Sequence, residues 1–225
     1  TAMSQFELNA YVQEMLRLES EFGCDIVVRK GVESDYILGW DDHYTNLWST
    51  YPVDYAIGSV HWLGEWNIFS TKLPPGRTRE SILDEYVKTT EAMARSGAFD
   101  VVGHLDAIKT LGLFTSEELA TRMKGTVATL AETGMVVELN TSGWRKSIGE
   151  AYPSEALLRL CCEAGVRITL GSDAHRADQV GSDFDRALRV LYRVGYREIV
   201  GFANRQPFSI PLAAPHRQSV QSLTS

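Results

Sequence analysis

Asp173 and His175 stand two residues apart at the end of a short apolar run, I-T-L-G-S-D-A-H (168–175). In an extended backbone residues i and i+2 share a face, so this spacing presents a carboxylate and an imidazole side by side. Such a pair suits zinc, iron or manganese. The same run also reads as a strand-to-loop turn in which Asp173 caps the next helix and His175 is solvated. Recurrence separates the two readings. Three of the five histidines, His61, His104 and His175, follow runs of β-prone apolar residues, and Glu33 stands just past another at 26–28. Histidines that merely pack a core have no reason to collect at such positions, whereas metal ligands do. His43, in an acidic loop, and His216, in a polar tail, lack that setting and read as solvated.

The elements that must hold these residues follow from periodicity and punctuation. Ser4 to Glu7 is S-x-x-E, a capping box opening a helix with Phe6, Val12, Met15, Leu16 and Phe22 on its apolar face, ended by Gly23. A strand at 26–28 comes next, then a loop rich in aromatics and acids (Asp41, Asp42, His43, Trp48, Tyr51), then a strand at 55–60 ending at His61. Helical spacing of Ile82, Leu83, Tyr86, Val87 and Met93 marks 79–95, after the turn at Pro74-Pro75-Gly76. Residues 99–103 form a strand that finishes at His104. A second capping box, Thr115 to Glu118, starts a helix running to about 132, and 135–139 is a strand leading into Asn140. Ser154 opens a helix that stops at Gly165. Beyond 168–175, a helix at 184–194, a strand at 199–202 and a polar tail from about 213 complete the chain.

The repeating order of strand, polar strand end and helix, with no break in composition, predicts one α/β domain over 1–225. Strands that are apolar at nearly every position are covered on both faces, which implies a parallel sheet or barrel. In such folds the active site lies at the carboxyl ends of the strands. Glu33, His61, His104, Asn140, Asp173 and His175 are all expected there.

Composition narrows the classes. The formal net charge of −7 repels nucleic-acid phosphates and anionic lipid, so the expected partner is neither nucleic acid nor membrane. A small phosphate ester then needs local cations, supplied by metals or a few placed Arg and Lys. Cys24, Cys161 and Cys162 form no C-x-x-C pair and read as reduced core thiols. No run of about 18 apolar residues is present and the N-terminus lacks the build of a signal peptide, so the expected location is the cytosol.

The order G-V-E-S-D-Y, Y-A-I-G-S-V-H-W, F-D-V-V-G-H-L-D, V-V-E-L-N-T-S-G-W-R-K and G-S-D-A-H resembles the PHP (polymerase and histidinol phosphatase) superfamily, nearest its histidinol-phosphatase branch, from about Phe6 to Leu212. The resemblance implies a distorted (β/α)7 barrel holding two to three divalent ions, zinc, manganese or iron. It implies that Glu33 bridges two ions, that His61 and His104 complete one site, that Asp173 belongs to a second and His175 to a third. Family members begin with a strand carrying H-x-H and a second strand ending in Asp-His. No H-x-H occurs here, and Thr1 stands just before the helix that follows those elements. The first two strands are therefore expected to be missing from this chain, either because it is N-terminally incomplete or because it is a shortened variant.

The resemblance implies a metal-dependent phosphatase in which water is activated for in-line attack on a phosphate monoester. Catalysis falls to Glu33, Asp173 and Arg145. Arg145 is the first candidate for gripping two phosphate oxygens and Lys146 the second, since a planar guanidinium offers paired donors. Both also read as a solvated charge pair. Asn140 either fixes a substrate hydroxyl or caps the turn. The expected substrate is L-histidinol phosphate, in histidine biosynthesis. Another PHP-type hydrolase of a small phosphorylated metabolite or nucleotide, and a non-catalytic remnant, stay open beside it.

Overall fold

The computed structural model describes residues 3–70 and 72–213. The polar tail beyond 213, with His216, lies outside the described residues. In chain order the elements are α1 (Gln5–Phe22), β1 (Gly31–Asp35), α2 (Asp41–Thr50), β2 (Tyr55–Ser59), β3 (Trp62–Leu63), β4 (Trp66–Asn67), α3 (Arg79–Ser96), β5 (Val101–Val102), α4 (Ser116–Arg122), α5 (Lys124–Thr133), β6 (Val136–Asn140), α6 (Glu155–Glu163), β7 (Ile168–Gly171), α7 (Phe184–Val194), β8 (Glu198–Ala203) and β9 (Gln206–Pro211).

Local signals account for most helix boundaries. The Ser4 hydroxyl accepts the Glu7 N–H while the Glu7 carboxylate accepts the Ser4 N–H, which satisfies two otherwise orphaned donors. The same reciprocal cap opens α3 at Thr78 and α4 at Thr115. Gly97 and Gly134 close α3 and α5 in the left-handed conformation, which costs glycine nothing.

β1, β2, β5, β6 and β7 form one parallel sheet in that order. A doubly wound sheet reverses its strand order at a switch point; here the order follows the chain, which is the arrangement of a barrel wall. Residues paired across parallel strands share a face, so the register sorts the sheet into two sides. Val32, Ala56, Val102, Val137, Leu139 and Ile168 lie on the outer side and belong to the large core shared with the helices. On the inner side Tyr55, Ile57, Val101 and Val136 pack with Val200 and Phe202 of β8 into a separate apolar floor. Toward the carboxyl ends the same inner side turns polar, at Glu33, Ser59, Glu138 and Asn140. The β8–β9 turn is clamped beneath this floor. Asp54 accepts the N–H groups of Lys30 and Asn204, and the Arg205 guanidinium pairs with Asp100 at 2.6 Å.

Several expectations are corrected. The apolar triplet 26–28 is not a strand; Ile26 and Val27 are exposed, and β1 begins at Gly31, so Glu33 sits within the strand rather than past it. Parallel pairing with β2 decides this, because it aligns Gly31 with Tyr55. The acidic aromatic loop is α2, which buries Tyr44 and Trp48 and carries Asp41 and Asp42 in its first turn, where their charge complements the positive end of the helix dipole. Phe6, Leu16 and Phe22 face outward, while Leu8 and Val12 of α1 are buried in the core with Tyr11 packed against it; of the thiols expected in the core, Cys161 is buried but Cys24, just past α1, is exposed. The helix expected to run on to 132 is broken at Met123.

Candidate metal centre

β1 and β2 pair in register through Glu33–Ile57 and Asp35–Ser59, which sets Glu33, Asp35 and Ser59 on the inner face of adjacent strands. His61 follows β2 by two residues and His104 follows β5 by two. Their rings meet above that face, with the two Nε2 atoms 3.0 Å apart. Glu33 Oε1 lies 3.2 Å from His104 Nε2 and 3.8 Å from His61 Nε2. One ligand atom from each of Glu33, His61 and His104 falls within 4.8 Å of the other two.

Each ligand is held from behind. His61 Nδ1 donates to Asp35 Oδ1 at 2.6 Å, which leaves the Nε2 lone pair aimed at the cluster. The His61 carbonyl accepts the N–H of buried Ile68, fixing the β3–β4 hairpin to it. Ser59 donates its hydroxyl to Glu33 Oε1 at 2.6 Å. His104 has a positive φ of 27°, strained for a residue with a Cβ, and its N–H is held by Glu138 Oε2 at 3.1 Å.

Burial pushes the Glu33 carboxyl up, but hydrogen bonds from His104 and Ser59 with the nearby imidazoles outweigh it and hold the pKa at about 2. Burial pushes His104 down, yet the Glu33 carboxylate beside it raises it overall. Three lone-pair donors aimed at one point, one an anion, fit a divalent cation better than they fit each other.

Asp173 and His175 lie outside this tight group. Asp173 also has a positive φ, 47°, and its Oδ2 accepts the Ser142 hydroxyl at 2.8 Å with the Lys146 ammonium at 3.5 Å. Burial pushes the Asp173 carboxyl up, but the Ser142 bond and the Lys146 charge bring it below its ordinary value. His175 is largely exposed, with Nδ1 3.6 Å from Asp173 Oδ1. Arg145 turns to the same strand end; its guanidinium bonds the Ser172 carbonyl and Thr141 Oγ1 and stands 3.7 Å from Asp183. Asn140 lies deeper at the same strand end. It is 1% exposed and both ends of its amide are taken, Oδ1 by the Ser142 N–H and Nδ2 by Glu138.

Four residues of the site went unread in the sequence: Asp35, Ser59, Glu138 and Ser142. Strand parity carries the signal for three of them. Each of Asp35, Ser59 and Glu138 stands two residues from a residue that was singled out, Glu33, His61 and Asn140 respectively, and therefore on its face.

The PHP domain pattern matches residues 2–142. The chain belongs to the PHP domain family. This PHP domain is 34% identical to a probable histidinol-phosphatase of Deinococcus radiodurans over 196 residues, 86% of the chain and 75% of the relative. It is 26% identical to the histidinol-phosphatase of Bacillus subtilis over 209 residues, 84% and 78% of the two chains. Its fold matches the crystal structure of histidinol phosphate phosphatase from Lactococcus lactis, complexed with zinc, L-histidinol and phosphate. That superposition has a TM-score of 0.78 and 23% identity, over 89% of this chain and 79% of the other. Among the described residues no helix is long and apolar enough to cross a membrane.

Proposed function

We propose that this PHP domain is a metal-dependent phosphomonoesterase that hydrolyses L-histidinol phosphate to L-histidinol and phosphate. The observation that carries the reading is the convergence of Glu33, His61 and His104 at the carboxyl ends of parallel strands, in a chain whose relatives along most of its length are histidinol-phosphatases. Two or three divalent ions, zinc, manganese or iron, would supply Lewis acidity there and lower the pKa of a bound water. Glu33, His61 and His104 would hold one ion, and Glu33, Asp173 and His175 are the residues that would hold further ions.

The rest falls to the chain's own groups. Glu33 keeps its charge throughout the physiological range because its pKa is held at about 2. Asp35 fixes the tautomer of His61 through the 2.6 Å bond to Nδ1. Lys146 and Arg145 both border the strand end at 172–173 and take the phosphate oxygens from that side, offsetting charge as the phosphoryl group is transferred. Arg145 brings paired donors and Lys146 a mobile point charge.

The test is phosphate release from L-histidinol phosphate by purified protein reconstituted with zinc, manganese or iron, beside a panel of small phosphomonoesters and nucleotides, with elemental analysis of each preparation. We expect at least one bound ion per chain and a kcat/KM on L-histidinol phosphate at least about tenfold above the panel, as for a site that hydrogen-bonds its own substrate. Metal-loaded protein that releases no phosphate, or that prefers another ester, overturns the reading.

A further inference from the structure

Glu138 is a charged residue in the middle of β6, a strand whose five residues are all buried. It is one inner-face position below Asn140 and points to the polar layer above the apolar floor. A neighbouring strand makes room for it. A Cβ at Gly171 would stand 1.7 Å from Glu138 Oε1 and 2.7 Å from its Cδ, so glycine on β7 leaves room for the carboxyl where it lies. Burial pushes the Glu138 carboxyl up, which is the cost of placing an acid here.

What the side chain does at that position is specific. Its Oε2 accepts two donors, the N–H of His104 at 3.1 Å and Nδ2 of Asn140 at 3.1 Å. With Nδ2 turned to Glu138, Asn140 presents Oδ1 on the other side, and this accepts the Ser142 N–H at 2.9 Å. Ser142 in turn donates its hydroxyl to Asp173 Oδ2 at 2.8 Å. One chain of hydrogen bonds therefore runs from the backbone of His104 to the carboxylate of Asp173, and both ends are residues with positive φ.

We propose that Glu138 is a positioning residue whose relay through Asn140 and Ser142 sets His104 and Asp173 in fixed relation, so that the two ligand groups on β5 and β7 act as one site. The proposal rests on the metal-centre reading given above. Glu138 is not part of the group Glu33, His61 and His104. Because Ser142 occupies Oδ2 of Asp173, the relay leaves Oδ1 as the free oxygen, which is the one that faces His175.

The experiment measures Zn2+ affinity of chelator-stripped protein by calorimetric titration, together with kcat/KM on the best phosphoester of the parent, for Glu138→Leu, Glu138→Gln, Ser142→Ala and the Glu138→Leu/Ser142→Ala double variant. We expect Glu138→Leu and Ser142→Ala each to lose about 10- to 100-fold in the weaker Zn2+ affinity and in kcat/KM. Glu138→Gln recovers most of this, since one amide oxygen can still accept both donors. The double variant loses no more than the worse single, because either break severs the same relay.

Additive losses, a Glu138→Gln as poor as Glu138→Leu, or parent-like Zn2+ affinity in Ser142→Ala each overturn the proposal. Ser142→Ala deletes one hydroxyl and keeps the test open should Glu138→Leu fail to fold. A parent that cleaves a different ester refutes the substrate but leaves the relay readable in Zn2+ affinity; a parent that binds no Zn2+ refutes both.

Discussion

Asp35→Ala is the most direct probe of how the centre is built, because Asp35 is not itself part of the three-residue ligand group yet holds one of its members. The His61 Nδ1 to Asp35 Oδ1 separation of 2.6 Å is at the short end for a charge-assisted bond. Such bonds contribute about 1.5–3 kcal/mol net. The two side chains are 23% and 35% exposed, so water competes and we take the lower part of that range, about 1.5–2 kcal/mol. At 1.4 kcal/mol per decade this is a loss of roughly 10- to 30-fold in the affinity of the ion that His61 holds. The loss comes from the imidazole regaining both tautomers and free rotation about χ2, and kcat/KM should fall in parallel at subsaturating metal. The assay is competition for Zn2+ against a chromophoric chelator, with turnover at two metal concentrations. Asp35→Asn keeps an acceptor at the same place and should recover part of the affinity. Zn2+ affinity and kcat/KM of Asp35→Ala within twofold of the parent would refute the reasoning, since His61 would then be oriented by something other than Asp35.

Two further predictions test the cations and the barrel base. Arg145→Ala and Lys146→Ala should leave metal content unchanged while lowering kcat/KM, Arg145→Ala by roughly 10²-fold and Lys146→Ala by less, with Arg145→Lys recovering only part; equal activity of Arg145→Ala and the parent would sink the guanidinium's role. For Asp54, burial pushes the carboxyl up, but the N–H groups of Asn204 and Lys30 and the Lys30 ammonium outweigh it and hold it below its ordinary value. A depressed native pKa stabilises the fold above the unfolded value of about 3.9 and loses that contribution as pH falls through the native one. Asp54→Asn should therefore melt about 3–8 °C below the parent at pH 7, from about 1.5–2 kcal/mol at roughly 2–4 °C each, and the gap should close below about pH 4. A gap that is constant from pH 7 to pH 3 would show that the carboxylate charge is not what clamps the β8–β9 turn.

The sequence by itself determined the α/β class, the strand-end histidines and the capping boxes at Ser4 and Thr115, because these depend on neighbours within a few positions. Ser4 with Glu7, or His61 two residues past β2, is legible from local spacing alone. It determined the family as well, through five motifs in order. Tertiary structure decided the register. Whether 26–28 or 31–35 forms the first strand depends on pairing with β2 and not on local apolarity, and that register is what sets Glu33 and Asp35 on one face with Ser59. It also decided what a polar residue in a strand is for. Glu138 reads in the sequence as one acid among valines and leucine; only with β5 and β7 on either side does its carboxylate reach the N–H of His104 and the amide of Asn140. The roles of Asn140 and Ser142 follow from that closure, since a hydrogen-bond relay depends on groups 31 to 34 residues apart in the chain, a separation at which local spacing carries no information.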